Sequence, residues 1–68
     1  MGLMDQFFYS TQIYEDNINL PEDEAQHALK VLRKHKGDKI VVVDGNGGWY
    51  ECVIESEEIQ NCRLHIGD

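Results

Sequence analysis

The residues best suited to chemistry are basic side chains that gather in one short stretch of the chain. Five of the six Lys and Arg residues lie close together, against 13 Asp and Glu residues and a net charge of -7; the five are Lys30, Arg33, Lys34, Lys36 and Lys39. Lys and Arg are common donors to phosphate oxygens. The pattern therefore predicts a phosphate-contacting patch made of His27, Lys30, Arg33, Lys34 and Lys36.

An ordinary explanation of the same charges stays open beside this one. Pro21 and the acids Glu22, Asp23 and Glu24 are typical of a helix start. Cations in a last helical turn are favoured by the helix dipole without any ligand. The charge order alone is thus also what a solvated helix surface would show.

An apolar stripe predicts the helix that would position these side chains. Its members recur at i, i+3, i+4 and i+7 and are Ala25, Ala28, Leu29 and Leu32. We expect the helix to begin after Pro21 and to carry Lys30, Arg33 and Lys34 in its last turn. Gly37 would end the helix or the turn after it.

Short β-strands are predicted on both sides of this helix. Residues 7–9 and 18–20 are expected to pair as a small hairpin, and residues 39–43, 49–55 and 62–66 as an antiparallel meander. The residues of the meander that are expected to point inward are Tyr50, Cys52, Ile54, Cys62, Leu64 and Ile66. The order β-β-α-β-β-β predicts a mainly β, α+β fold, in which a small, partly open barrel is covered at one end by the helix.

The turn at residues 44–48 contains Asp-Gly and Asn-Gly pairs, which favour a β-hairpin. Neither a Lys-Ser nor a Lys-Thr pair follows the glycines, so a phosphate-binding P-loop is excluded. The downstream Glu and the flanking helices of an EF-hand are also missing.

Cysteine and serine chemistry has little support. Cys52, Cys62 and His65 lack the spacing of a zinc site, and the expected register places Cys52 opposite Leu64 or Ile66 rather than Cys62. Both thiols are therefore predicted to be buried and reduced. No Ser or Cys stands in a pattern typical of a nucleophile, so no catalytic residue is predicted.

Five aromatic residues are candidates for stacking on bases: Phe7, Phe8, Tyr9, Trp49 and Tyr50. Core packing is expected for most of them in so small a domain. Trp49 stays open, because it follows the glycine turn and is out of phase with the inward face of its strand.

Several residues together resemble the N-terminal domain of the ribosomal RNA small-subunit methyltransferase E family. They are Phe7-Phe8, Gln26-His27, Val31-Leu32-Arg33, Gly37-Asp38, Ile40, Asp44-Gly45, Gly47 or Gly48, Tyr50 and Ile54. Each element is weak alone, and the combination covers nearly the whole chain. Many relatives have an arginine before the Phe-Phe pair, where this chain has Gln6.

The resemblance implies a PUA-like, RNA-binding barrel over residues 1–68, without the SPOUT methyltransferase domain that follows in such enzymes. Those enzymes are bacterial and cytoplasmic, form homodimers, and methylate N3 of a uridine in 16S rRNA with S-adenosylmethionine. His27 and Arg33 carry over as motif positions for RNA binding, and Lys30 and Lys34 only as charge. No cofactor-binding residue carries over to this chain.

Two hypotheses follow. In the first, the chain recognises small-subunit ribosomal RNA for a methyltransferase domain. In the second, it is a free-standing interaction or dimerisation module that uses an exposed strand edge near Ile66. No apolar run approaches the roughly 20 residues of a membrane span, and residues 1–6 lack the basic start of a signal peptide. A cytoplasmic location without membrane contact is therefore expected.

Overall fold

A computed structural model describes residues 7–67, which form one curled six-stranded sheet and one helical segment. The strands are β1 (Phe7–Tyr9), β2 (Gln12–Ile13), β3 (Asn17–Leu20), β4 (Lys39–Val43), β5 (Trp49–Ile54) and β6 (Cys62–Ile66). Helix α1 (Glu22–Gln26) lies between β3 and β4 and continues as a π-helix over His27–Val31. The predicted α+β half-barrel is confirmed, with β2 as an additional strand.

The sheet order is β1-β4-β5-β6-β3-β2, and it corrects two of the expectations. β1 pairs with β4 in parallel, and β3 pairs with β2 and β6. The prediction of a hairpin between residues 7–9 and 18–20 is therefore wrong. The prediction of an exposed strand edge near Ile66 is wrong as well. β6 lies between β5 and β3, and Ile66 pairs with Cys52.

Ser10 lies at the corner between β1 and β2, where the chain passes from one edge of the sheet to the other. Its side chain is fully buried, and its hydroxyl donates to the Asn19 carbonyl at 2.6 Å and accepts from the Gln12 N–H at 3.1 Å. Its own N–H donates to the Val43 carbonyl at 3.1 Å. Ser10 thus bonds both to β4, the partner of β1, and to β3, the partner of β2, at the point where the sheet curls into a half-barrel.

The interior is filled from the sheet and from the small residues of the helix. Ala25 and Ala28 are fully buried, so the helix packs closely on the sheet; the other buried apolar residues are Phe8, Ile18, Leu20, Ile40, Val42, Cys52, Ile54, Cys62 and Leu64. The inward faces predicted for the meander are therefore confirmed. Tyr50 and Ile66 are only partly buried at its ends.

Both cysteines are free and buried, and Cys52 lies opposite Ile66 as expected. Burial raises the pKa of the Cys52 thiol to about 11 and also raises the pKa of Cys62. Both thiols are therefore protonated at neutral pH and unreactive. Residues 7–67 contain no cluster of His, Cys, Asp and Glu that would hold a metal ion.

The turn between β4 and β5 is the hairpin that the sequence predicts. Asp44 Oδ1 accepts hydrogen bonds from the N–H groups of Asn46 and Gly48, both at 2.8 Å. These two backbone bonds, with a smaller contribution from the Tyr50 hydroxyl, lower the pKa of Asp44. The left-handed positions of the turn are taken by Gly45 and Gly47.

Candidate nucleic-acid interface

The helix that carries the predicted patch begins as expected and ends earlier. Pro21 is the N-cap, and its carbonyl accepts from the Ala25 N–H at 2.8 Å. After Gln26 the hydrogen bonds widen, and the Leu32 N–H reaches the His27 carbonyl at 3.0 Å. The helical segment ends at Val31, so Lys30 is in its last turn, whereas the prediction that Arg33 and Lys34 share that turn is wrong.

Arg33 ends the helical segment in a left-handed conformation, with φ of 58°. The next N–H, that of Lys34, returns to the Ala28 carbonyl at 2.9 Å. This is a Schellman-like cap, widened by the π-helix that precedes it. Glycine usually occupies such a position because a side chain is strained there, so an exposed arginine is an unusual choice for folding alone.

Gly37 lies in the turn that follows, as one of the two predicted alternatives. Its φ is 95°, and its N–H donates to the Ile54 carbonyl at 2.8 Å. In the same turn Asp38 accepts from the His35 N–H at 2.7 Å. These bonds attach the segment after the helix to β5, so the basic residues 33–36 are held by an ordered backbone.

Lys30 faces a different part of the surface from His27. An open groove of about 670 Å³ separates the helix from the turn at residues 57–60; its lining residues are Glu22, Gln26, Lys30, Glu57, Glu58, Ile59 and Gln60. His27 instead packs edge-on against Phe8 of β1, with ring centroids 6.0 Å apart. Lys30 therefore has acidic neighbours, and the structure separates two residues that the predicted patch places together.

Lys36 lies near the same acids. Its N–H donates to Glu57 Oε2 at 2.6 Å, and the Nδ1 of His35 is 3.8 Å from that oxygen. Glu57 thus holds the backbone after the helix while the Lys36 side chain stays exposed. Glu57 therefore has a structural role.

The cations of the helix end are unpaired within the described part of the chain. Among residues 7–67, Lys30, Arg33, Lys34 and Lys36 form no side-chain ion pair, whereas Arg63 of β6 lies 3.4 Å from a Glu55 oxygen. Arg33 and Lys36 are exposed and Lys34 is half-buried. The arrangement offers donors that are free to contact an anion, and Arg33 is the one with a fork of N–H groups.

The structure also exposes aromatic rings that the sequence assigned to the core. Phe7 and Tyr9 lie on the outer face of β1, while Phe8 between them is buried. The expectation of core packing is therefore wrong for Phe7 and Tyr9, and the open position Trp49 proves to be exposed. The alternation of period two in β1 was the signal that would have found them. Gln6 lies outside the described residues.

The comparisons with known proteins agree with the fold. A family model described as RNA methyltransferase PUA domain matches residues 20–67. A predicted RNA methyltransferase from Thermotoga maritima is 32% identical, with a TM-score of 0.81 over 93% of this chain. A probable rRNA methyltransferase from Porphyromonas gingivalis is 35% identical, with a TM-score of 0.80 over 93% of this chain.

A third solved structure shares the fold at lower identity. It is a ribosomal RNA small subunit methyltransferase E from Neisseria gonorrhoeae bound to S-adenosyl methionine, 24% identical, with a TM-score of 0.75 over 90% of this chain. This chain covers 29%, 26% and 26% of the three proteins, respectively. No curated protein matches the chain significantly.

Proposed function

Because the chain belongs to the family of RNA methyltransferase PUA domains, we propose that it recognises small-subunit ribosomal RNA for a methyltransferase that modifies N3 of a uridine. Family membership supports a role in RNA recognition, and the structural neighbours are RNA methyltransferases. The ribosomal substrate and the modified atom rest on the resemblance to the methyltransferase E family.

The observation that carries the proposal is the group of unpaired cations at the helix end. A solvated helix surface has no need of an arginine in a left-handed position, and Arg33 takes that position without an ion-pair partner among residues 7–67. Lys34 and Lys36 follow on a backbone that is hydrogen-bonded to the helix and to Glu57. Such donors fix the register of a nucleic-acid backbone without reading its sequence.

The individual residues have unequal roles in this proposal. Arg33 is the main phosphate donor, with Lys34 and Lys36 beside it. Lys30 contributes less, because the groove that it lines also contains Glu22, Glu57 and Glu58 and these acids repel phosphate. His27 is a hydrogen-bonding or stacking partner, held against Phe8. With a net charge of -7, the chain alone is expected to bind RNA weakly.

The chemistry of methyl transfer belongs to the rest of such a protein. S-adenosylmethionine supplies the methyl group when it is bound there. The groove beside Lys30 is open and lined mostly by polar residues, which does not suit a cofactor pocket, and we assign no cofactor residue. Uridine N3 lies on the Watson–Crick edge, so the base must be unpaired or flipped before transfer. This chain contributes by positioning the RNA around that base.

The assembly is proposed on the same grounds. The partners would be small-subunit ribosomal RNA, a C-terminal methyltransferase domain and a second copy of the intact protein, in the cytoplasm. No helix among residues 7–67 is long and apolar enough to cross a membrane. The rival hypothesis, an interaction module that pairs through a free edge at Ile66, loses its motivation because β6 is paired on both sides.

A titration with a fragment of small-subunit ribosomal RNA, at low and at moderate salt, tests the proposal. Arg33→Glu and Lys34→Glu should weaken binding, and each should lower the slope of log affinity against log salt by about 1. Arg63→Glu is the matched control, because it makes the same change in net charge at an arginine that is already paired with Glu55. It should leave the salt slope unchanged.

Two results would reject the proposal. In one, Arg33→Glu and Lys34→Glu leave both affinity and salt slope at the wild-type value. In the other, all three variants weaken binding equally, since the effect would then come from total charge and not from the helix end. Sedimentation of the wild-type chain tests the rival: a monomer at every concentration rules out a self-pairing module.

A further inference from the structure

The outer face of the half-barrel presents three aromatic rings to solvent. Phe7 is 42% exposed, Tyr9 49% and Trp49 54%. Tyr9 pairs with Val43, and Val43 pairs with Trp49, so two of the rings share one row across three neighbouring strands. Phe7 begins the next row, which continues through Val41 to Glu51. Three of the six aromatic residues of the chain thus lie on an outer surface.

The spacing of these rings follows from the sheet. Neighbouring strands lie about 4.8 Å apart, so the backbones of Tyr9 and Trp49 are about 10 Å apart, and residues two apart on one strand, such as Phe7 and Tyr9, are separated by about 6.6 Å. The valine between Tyr9 and Trp49 is small, and about half of each of the two aromatic residues stays exposed. Each ring can therefore take its own planar ligand.

The Tyr9 ring is held in place by the β4–β5 hairpin. A Cβ added at Gly45 would lie 3.0 Å from Tyr9 Cε1, so the ring rests against the bare backbone of that glycine. The N–H of Tyr9 also donates to Glu24 Oε1 of the helix at 3.1 Å. A ring positioned in advance loses little freedom on binding, which favours stacking.

β1, which carries two of the three rings, also contacts the helix. Phe8, between Phe7 and Tyr9, contacts His27, and Glu24 bonds to Tyr9. The nearby carboxylates, Glu24 and Glu51, repel phosphate but accept hydrogen bonds from base N–H groups. The outer face therefore suits bases, while the cations after the helix suit the backbone that carries them.

We propose that Phe7, Tyr9 and Trp49 form a stacking platform for unpaired nucleobases of RNA. This inference rests on the proposed function and assigns the bases to a surface separate from the phosphate contacts. Stacking on aromatic side chains tolerates any base, because every base has a π-face. The platform thus adds affinity for single-stranded RNA over paired RNA.

The test compares a labelled single-stranded RNA of eight nucleotides and mixed sequence with an abasic phosphodiester chain of the same length and charge. The wild-type chain should bind the RNA more tightly than the abasic chain. Trp49 is the only tryptophan, so its fluorescence should be quenched by the RNA and not by the abasic chain. Tyr9→Ala and Trp49→Ala should each weaken RNA binding by between about 5-fold and about 150-fold and leave abasic binding unchanged.

Two variants serve as controls. Tyr14→Ala removes an aromatic side chain of similar exposure, 57%, from the turn between β2 and β3, and it should not change RNA affinity. Trp49→Phe keeps a stacking ring and should retain most of the affinity, which separates loss of stacking from loss of fold. Circular dichroism of each variant checks that the barrel is intact.

The failures of the two proposals are distinguishable. If RNA and abasic chain bind equally, without quenching, while Arg33→Glu weakens both, the platform is wrong and the phosphate patch stands. If neither chain binds, the proposed function fails and the platform fails with it. If the wild-type chain self-associates and Trp49→Ala abolishes this, the face is a protein interface and the platform is rejected.

Discussion

The β4–β5 hairpin and the end of the helix both need left-handed backbone, and they provide it differently. The hairpin uses Gly45 and Gly47, with φ of 81° and 89°, whereas the helix end uses Arg33, with φ of 58°. The hairpin also pairs its own carboxylate, since Asp44 accepts two backbone N–H groups. Folding alone explains the hairpin residues, but it does not explain an arginine at a position where glycine is less strained.

In the barrel, as in the hairpin, polar and charged side chains have partners within the fold. Among residues 7–67 no buried side-chain nitrogen or oxygen lacks a hydrogen-bond partner, and Arg63 on β6 is paired with Glu55. The helix end has the opposite character, with cations that are unpaired within the described residues. We infer that the barrel determines stability and that the helix end is kept for binding, a division that mutations can break.

The largest effect on stability is expected from Ser10→Ala. The substitution removes the hydroxyl that bonds to Asn19 and Gln12 and leaves both backbone groups without that partner. We expect a loss of about 1–3 kcal/mol in the free energy of unfolding, measured by urea denaturation. For a domain of this size that is a large share of the total.

Ser56→Ala is the matched control for the corner. Its hydroxyl donates to the Asn61 carbonyl at 2.8 Å, in an exposed turn, where water can replace the lost bond. It should cost clearly less than Ser10→Ala. Equal losses in the free energy of unfolding would mean that burial does not strengthen the hydrogen bonds of Ser10. The inference that the barrel determines stability would then lack its main support.

A smaller effect, of about 1 kcal/mol, separates two substitutions of Arg33. Both Arg33→Gly and Arg33→Ala remove the charge, but only glycine relieves the left-handed backbone, so the glycine variant should be the more stable one. Both should weaken RNA binding to the same extent. Urea denaturation and an RNA titration on the same two proteins give the two readouts.

The reverse order of stability would contradict the strain at Arg33. Unchanged RNA affinity in both variants would show that the arginine is not kept for binding. Either result would remove the contrast between the helix end and the hairpin, because the only remaining difference would be the residue type at a left-handed position.

The parts of the fold that the sequence predicts are those set by local chemistry. The β-branched run of β4 and the Asp-Gly and Asn-Gly pairs predict a hairpin and its inward faces, and Cys52 is found opposite Ile66 as expected. The parallel pairing of β1 with β4 joins distant parts of the chain, and the Ser10 N–H continues it with a bond to the Val43 carbonyl. No local sequence pattern predicts such a contact. The prediction of a hairpin between residues 7–9 and 18–20 was therefore wrong.

The candidate site was predicted in composition but not in geometry. Charge clustering found Arg33 and the lysines around it, whereas the change to a π-helix at His27 arises where Ala25 and Ala28 pack on the sheet. The helical segment ends before Arg33, and Gly37, the expected stop, lies in the turn beyond it. Two of the three acids that line the groove with Lys30, Glu57 and Glu58, come from the turn after β5, which sequence spacing cannot place.

The smallest effect tests the hairpin half of the comparison through pH. The backbone N–H groups of Asn46 and Gly48 lower the pKa of Asp44 in the folded chain, so its ionised form adds stability that is fully present above the ordinary pKa of an aspartate, about 3.9. This contribution is lost as the pH falls through the lowered pKa of the folded chain.

Asp44→Asn should therefore be less stable than wild type at neutral pH, and the difference should shrink below about pH 4. Asp44→Ala, which has no oxygen to accept either N–H, should stay less stable in acid as well. A gap between wild type and Asp44→Asn that is the same at neutral pH and below about pH 4 would mean that the hairpin does not use the charge of its carboxylate.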